Sequence, residues 1–137
     1  MTARRTGALF LLALAALYSS AQQASLPTFR LEDQFGSVHT EAEFRGEIFV
    51  LLAGDREGSR HTRAWKEALR AALSGVPGAD RVRFAGLADL RGVPGFMRAA
   101  VRARFPKEPE RWVMLDWEGL FGKGYGLERG ACTILVF

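Results

Sequence analysis

The chain has 137 residues, of which 48% are apolar and 25% charged. These values are typical of one globular domain with a sizeable core. The formal net charge is +4, but no run of like charge is interleaved with aromatic residues, which argues against nucleic-acid binding. His39, His61 and the scattered acids match no metal-ligand spacing, and no glycine-rich phosphate loop occurs. We therefore expect neither a metal nor a cofactor.

The first 21 residues have the pattern of a secretory signal peptide. Arg4 and Arg5 precede an uncharged apolar run at 8–18, and small residues follow at 19–21. The run is too short for a comfortable membrane span. We expect cleavage after Ala21 and export to the periplasm or the medium, leaving 17 basic and 15 acidic residues and no stable membrane span. The alternative is a leader that stays uncleaved as an anchor.

The first half of the remaining domain, residues 22–137, predicts a hairpin, a strand and a helix. Residues 29–38 alternate and then turn at Asp-Gln-Phe-Gly, which indicates a hairpin. The continuous apolar run at 48–53 is typical of a buried strand in a parallel sheet. After a polar loop, apolar residues recur at the spacing of one helix face. That face is formed by Ala64, Trp65, Ala68, Leu69 and Ala72.

The second half repeats this alternation of strands and helices. Residues 82–88 predict a second strand, 112–116 a third and 131–137 a last one. Between them, Pro94 is placed to open a helix and Pro106 to end it. The apolar face of that helix is formed by Phe96, Met97, Ala100, Val101 and Phe105. A short helix at 120–125 ends at Gly126, and the whole order predicts an α/β fold.

Three of these segments resemble a known superfamily. They are the strand end Leu-Leu-Ala-Gly-Asp at 51–55, Leu-Asp-Trp-Glu-Gly at 115–119, and Gly-Tyr-Gly-Leu at 124–127. They resemble the thioredoxin-like superfamily in its redoxin branch (AhpC/TSA and TlpA-like), and most closely the YtfJ-like periplasmic family. The resemblance covers roughly residues 26–137. It implies a thioredoxin-like three-layer α/β sandwich with an N-terminal β-hairpin.

The same resemblance implies that a final strand and a closing helix would follow Phe137. We therefore expect a C-terminally incomplete domain whose terminal strand at 133–137 has an unpaired edge. Leaving a large apolar side chain exposed to water costs about 1.5–3 kcal/mol of folding free energy relative to burying it. Self-association through this terminal strand is the expected consequence.

The resemblance also implies where a redox site would lie. The Cys-x-x-Cys loop of the family aligns with Arg56, Glu57, Gly58 and Ser59, so both cysteine positions are lost. The family's cis-proline aligns with Ala131, where a cis bond would cost about 2.5–4 kcal/mol, so we expect a trans bond. Ser59 has no activating base nearby in sequence, and we interpret it as the N-cap of the helix.

Cys132 is the only cysteine, so neither an internal disulfide nor a dithiol cycle is possible. The resemblance places it near the former redox loop, which makes it a candidate thiol; the alternative is a small buried apolar residue. We interpret the protein as a non-catalytic binding or structural module of the cell envelope, with an unknown protein or small-molecule partner. The alternative is an enzyme, a one-cysteine thiol oxidoreductase or peroxiredoxin-like antioxidant protein that uses Cys132.

Overall fold

The computed structural model describes residues 25–137, and the predicted signal peptide lies outside them. Six strands form one mixed sheet in the order β2-β1-β5-β4-β3-β6. The strands are β1 (Arg30–Asp33), β2 (Val38–Thr40), β3 (Ile48–Gly54), β4 (Val82–Asp89), β5 (Val113–Asp116) and β6 (Thr133–Val136). The helices are α1 (Ser59–Leu73), α2 (Arg98–Arg102) and α3 (Leu120–Gly124).

The sheet is parallel in its centre and antiparallel at both sides. β3 pairs with β4, and β4 with β5, in parallel register. β6 runs antiparallel to β3, and the β1–β2 hairpin adds antiparallel to β5. The Asp33 amide donates to the Ser37 carbonyl at 2.9 Å and closes the hairpin turn. The predicted α/β fold, its buried central strand and its N-terminal hairpin are therefore confirmed.

One face of the sheet carries the main core. Alternate residues of β3, β4 and β5 point to this face, where α3 and the segments before β1 and β3 cover them, as expected from the two-residue period of a strand. The cluster consists of Phe29, Phe44, Phe49, Leu51, Ala53, Ala85, Leu87, Met114, Phe121 and Leu127. Stacked and edge-to-face ring pairs, such as Phe44 with Phe49 at 3.9 Å between centroids, join its aromatic members.

The opposite face is covered by α1, but with a different side of the helix from the predicted one. None of the residues of α1 is buried. The predicted apolar face is wrong for Trp65, which is 49% exposed, and for the three exposed alanines at 64, 68 and 72. Contact with the sheet is made by the half-buried residues Thr62, Lys66, Leu69 and Leu73. Leucines bury more apolar area than alanines do. A lysine can bury its aliphatic stem while its ammonium group stays in water.

The second predicted helix is much shorter than expected. A 3-10 turn at Gly95–Met97 precedes the five residues of α2. Phe96 is 87% exposed and Met97 is exposed, so the predicted apolar face is wrong there. Polar contacts position α2 instead: Arg98 pairs with Glu118 at 2.8 Å, and Arg102 pairs with Glu32 at 3.0 Å.

Candidate functional site at the former redox loop

The loop at 56–59 joins β3 to α1 at the carboxyl end of the parallel strands. Ala131 and Cys132 lie across from it, because the antiparallel pairing of β6 with β3 places Thr133 beside Ala53. The structure thus brings together the residues that the sequence proposed for this site. Open α/β sheets usually carry their sites at this edge.

The two sides of the site are in direct backbone contact at Gly58. A Cβ atom built on Gly58 would overlap the Ala131 carbonyl group, and one built on Gly54 would lie 3.2 Å from the same oxygen. Gly58 has φ −61° and ψ −35°, which any residue can adopt. The glycine is therefore required by the close approach of Ala131 and not by its own backbone conformation. The Ala131 carbonyl fills the space between the two loops.

Asp55 holds the same two loops together through its side chain. Its Oδ1 accepts from the Gly58 amide at 2.9 Å and from the Glu57 amide at 3.1 Å. Its Oδ2 accepts from the Gly130 amide at 3.0 Å. One half-buried carboxylate therefore caps the start of α1 and anchors the chain that leads into Ala131.

These contacts stabilise the ionised form of Asp55. The hydrogen bond from the Gly58 amide is the largest influence and lowers the pKa of the carboxyl. Burial opposes this shift, while the Gly130 and Glu57 amides and the charge of Arg129 add to it, so the pKa of Asp55 lies below its usual value. Asp55 is thus a charged clamp across the loops and carries no proton near neutral pH.

The expected role of Ser59 is wrong. The residue at the N-cap position is Gly58, which has no side chain, and Asp55 instead accepts from the two amides just before the helix. The Ser59 hydroxyl instead donates to the Arg56 carbonyl at 2.9 Å. Arg56, Glu57 and Ser59 are exposed, and the peptide bond before Ala131 is trans. Sequence reasoning missed Asp55, and the available signal was that aspartate often bonds amides two and three residues on.

Cys132 is half-buried beneath the first turns of α1. Its Sγ lies 3.7 Å from the Thr62 Oγ1, and either atom can donate. Thr62 belongs to the side of α1 that faces the sheet. The thiol is therefore close to the loop at 56–59, as the resemblance implied, and its polar neighbour is a hydroxyl group.

A second polar network occupies the ends of β4 and β5. The Arg91 Nε donates to both oxygens of Asp89 at 2.9 and 3.0 Å, and its Nη2 donates to the Leu127 carbonyl at 3.1 Å. Its stem packs so closely on Gly119 that a side chain there would overlap it. Beside it, the fully buried Asp116 accepts from the amides that open α3. The side chains of Arg91, Asp89 and Asp116 therefore hold loops and helix ends in place.

Sequence reasoning found no partner for His39, but the structure gives it two. Its Nε2 lies 3.0 Å from Asp33 Oδ2, and its Nδ1 lies 3.1 Å from Glu43 Oε2. The ring stacks on Trp112 with 4.3 Å between centroids and 8° between planes. Burial, the largest influence, raises the pKa of Asp33, but the bonds from His39 and from two backbone amides outweigh it and lower the pKa overall. His39 lies in β2, where no local spacing rule joins it to these two carboxylates, so the sequence carried no signal for this network.

Two further findings concern residues 25–137 only. No group of three or more His, Cys, Asp or Glu side chains in this range is placed to hold a metal ion. No helix in the same range is long and apolar enough to cross a membrane.

Comparison with known proteins gives similarity in structure only. No protein-family model matches the chain, and no curated protein sequence does so either. A Bacteroides vulgatus protein assigned as a thiol-disulfide oxidoreductase superposes with a TM-score of 0.57 and 13% identity, over 85% of this chain and 75% of that one. The exposed lipoprotein thioredoxin of Streptococcus pneumoniae superposes with a TM-score of 0.52 and 13% identity, over 81% of this chain and 88% of that one.

A third solved structure agrees with these two. The thioredoxin domain of another Bacteroides vulgatus thiol-disulfide oxidoreductase gives a TM-score of 0.51 and 15% identity, over 86% of this chain and 81% of that one. Identities this low carry the fold and no activity. The six-stranded sheet, its helices and these likenesses together establish that the chain has a thioredoxin-like fold.

Proposed function

We propose that this protein is a non-catalytic binding module of the cell envelope, built on a thioredoxin-like fold that has lost dithiol chemistry. The observation that supports it best is the Ala131 carbonyl seated on Gly58, in a loop with Arg56 and Ser59 at the two cysteine positions. Thioredoxin-like chemistry needs a thiolate at the helix N-terminus and open access to it. Here the Asp55 carboxylate accepts from the Glu57 and Gly58 amides just before the helix, and the first helical amides bond to backbone carbonyls.

The proposal predicts that the purified protein is inactive in thiol–disulfide exchange. We expect no reduction of insulin disulfides above the rate with dithiothreitol alone, and no consumption of hydroperoxide with a thiol donor. Cys132→Ser should behave identically in both assays. Turnover by the natural protein that is lost in Cys132→Ser would overturn the proposal.

The contact of Cys132 with Thr62 favours one alternative, a one-cysteine antioxidant enzyme. In that case the Cys132 thiolate would attack a hydroperoxide, become a sulfenic acid and release the alcohol. Two equivalents of an external thiol would then restore the thiol, with release of a disulfide and water. The hydroperoxide assay with Cys132→Ser separates this function from the first.

The location in the envelope is part of the proposal and rests on the leader at 1–21. We expect a reporter fused behind residues 1–25 to be exported, with the leader removed near Ala21. N-terminal sequencing of the exported reporter checks this. A matched fusion with Arg4 and Arg5 replaced by Glu should be exported poorly. Cytoplasmic reporter with an intact N-terminus at Met1 would rule out the location.

A further inference from the structure

A cavity of about 540 Å³, largely open to solvent, lies at the end of the sheet opposite the loop at 56–59. It is bounded by the C-terminal half of α1, the first residues of β4 and the segment that enters β5. The lining residues used below are Lys66, Arg70, Arg83, Phe84, Glu110 and Trp112. Lys66 and Arg70 follow Ser59 by 7 and 11 residues, so they stand about 10–16 Å farther along the helix. The cavity is therefore a separate site.

Its polar lining is predominantly positive. Lys66, Arg70 and Arg83 contribute three cations, against one acid, Glu110. Arg83 pairs with Glu47 at 3.5 Å, but within residues 25–137 neither Lys66 nor Arg70 has a carboxylate at ion-pair distance. Like charges one turn apart on a helix repel each other. A bound anion would relieve that repulsion.

The burial of Lys66 agrees with this description. Burial is the main cause that lowers the pKa of its ammonium group, and the charge of Arg70 lowers it further. The side chain is half-buried on the side of α1 that faces the sheet. An anion within reach would favour the charged form of Lys66.

Two aromatic rings, Phe84 and Trp112, add an apolar wall to a lining that is otherwise mostly polar. The Arg70 guanidinium lies over Phe84, with Cζ 5.5 Å from the ring centroid. Trp112 is held by its stack on His39, which Asp33 and Glu43 hold in turn. Because this support fixes one side of the indole, the wall is already formed before any ligand binds.

We propose that this cavity binds a small organic anion: a carboxylate, sulfonate or phosphate ester joined to an apolar or aromatic body. The charged group would lie between Lys66 and Arg70, and the body would pack on Phe84 and Trp112. The site is open to solvent and its lining is more polar than apolar, so the charged group would supply most of the affinity and the aromatic surface would add to it. The inference rests on the proposed binding role and names its ligand class.

The test uses 1-anilinonaphthalene-8-sulfonate, an aromatic anion whose fluorescence rises on binding. We expect saturable binding to the purified protein. The double substitution Lys66→Gln and Arg70→Gln should raise the dissociation constant about tenfold or more, because each charge-assisted contact is lost. The matched control is Arg60→Gln with Arg63→Gln, which removes two exposed charges from the same helix and should leave affinity unchanged.

A second arm varies the ligand instead of the protein. The uncharged analogue N-phenyl-1-naphthylamine should bind the natural protein at least about tenfold more weakly. Trp112→Phe, which shortens the aromatic wall, should weaken binding of the anionic dye. Circular dichroism and thermal melts of all variants establish that they are folded. Equal affinity in the Lys66/Arg70 variant, or for the uncharged analogue, would overturn the proposal.

A third arm distinguishes a free anion from an anionic lipid surface. We expect no sedimentation with phosphatidylglycerol vesicles, since the cations line a concavity. Sedimentation that the Lys66/Arg70 substitutions abolish would overturn the assignment to small molecules. The redox assay with Cys132→Ser is independent of all three arms. Failure of dye binding with an inactive Cys132 would refute this inference alone, and thiol turnover would refute the proposed function alone.

Discussion

Replacing Gly58 by Ala is expected to destabilise the protein by about 3 kcal/mol, the upper part of the range for overpacked sites. The new Cβ would overlap the carbonyl group of Ala131. A backbone carbonyl cannot rotate away as a flexible side chain can, so the loop at 56–59 and the strand entry at 131 must separate. For a domain of this size the melting temperature should fall by about 10 °C or more.

The matched control is Gly124→Ala in α3. A Cβ there meets nothing within 4 Å, and the residue lies in a helix, where alanine is preferred. This control should leave stability unchanged or raise it by about 0.5–1 kcal/mol. Thermal melts followed by circular dichroism compare the two variants. If Gly58→Ala melts like the natural protein, the close contact with Ala131 is not part of the folded state.

The strand–loop–helix unit at this junction was largely predictable from local sequence. The apolar run at 48–53 predicted a buried strand, which the structure shows for 49–53 while Ile48 is exposed, and turn chemistry around Asp33 fixes the hairpin. The placement of Ala131 opposite the 56–59 loop followed from the resemblance, whereas the strand order was not predicted. No local sequence pattern predicts that β6 pairs with β3, because the paired residues are about 80 positions apart in the chain.

What could not be predicted depends on contacts between distant segments. The side that α1 turns to the sheet is set by its packing in the fold, which local spacing does not contain, so the exposed Trp65 gave a misleading apolar signal. Similarly, Phe96 looked like a core residue but is 87% exposed in the short 3-10 turn that precedes α2. The cavity was invisible for the same reason: Lys66 and Trp112 meet only in the fold.

Replacing Asp55 by Ala is expected to cost about 2 kcal/mol, since it removes a helix cap and leaves the Gly130 amide without its carboxylate. Asp55→Asn keeps the shape and one acceptor oxygen, so it should cost less at neutral pH. Urea unfolding at pH 7 measures both. Asp80→Asn, at an exposed aspartate in the turn Ala79–Arg81, is the matched control and should stay within about 0.5 kcal/mol of the natural protein.

The Asp55→Asn substitution should also make the free energy of unfolding less sensitive to acid. The pKa of Asp55 is lowered in the folded state, so its ionised form contributes stability at pH values above the unfolded pKa, about 4. That contribution is lost as the pH falls through the lowered folded pKa. Between pH 7 and pH 3 the natural protein and Asp80→Asn should therefore lose more stability than Asp55→Asn. Asp33, whose pKa is also lowered, keeps part of the acid sensitivity in every variant. Parallel stability curves for Asp55→Asn and the natural protein over this range would show that Asp55 is not the charged clamp between the two loops.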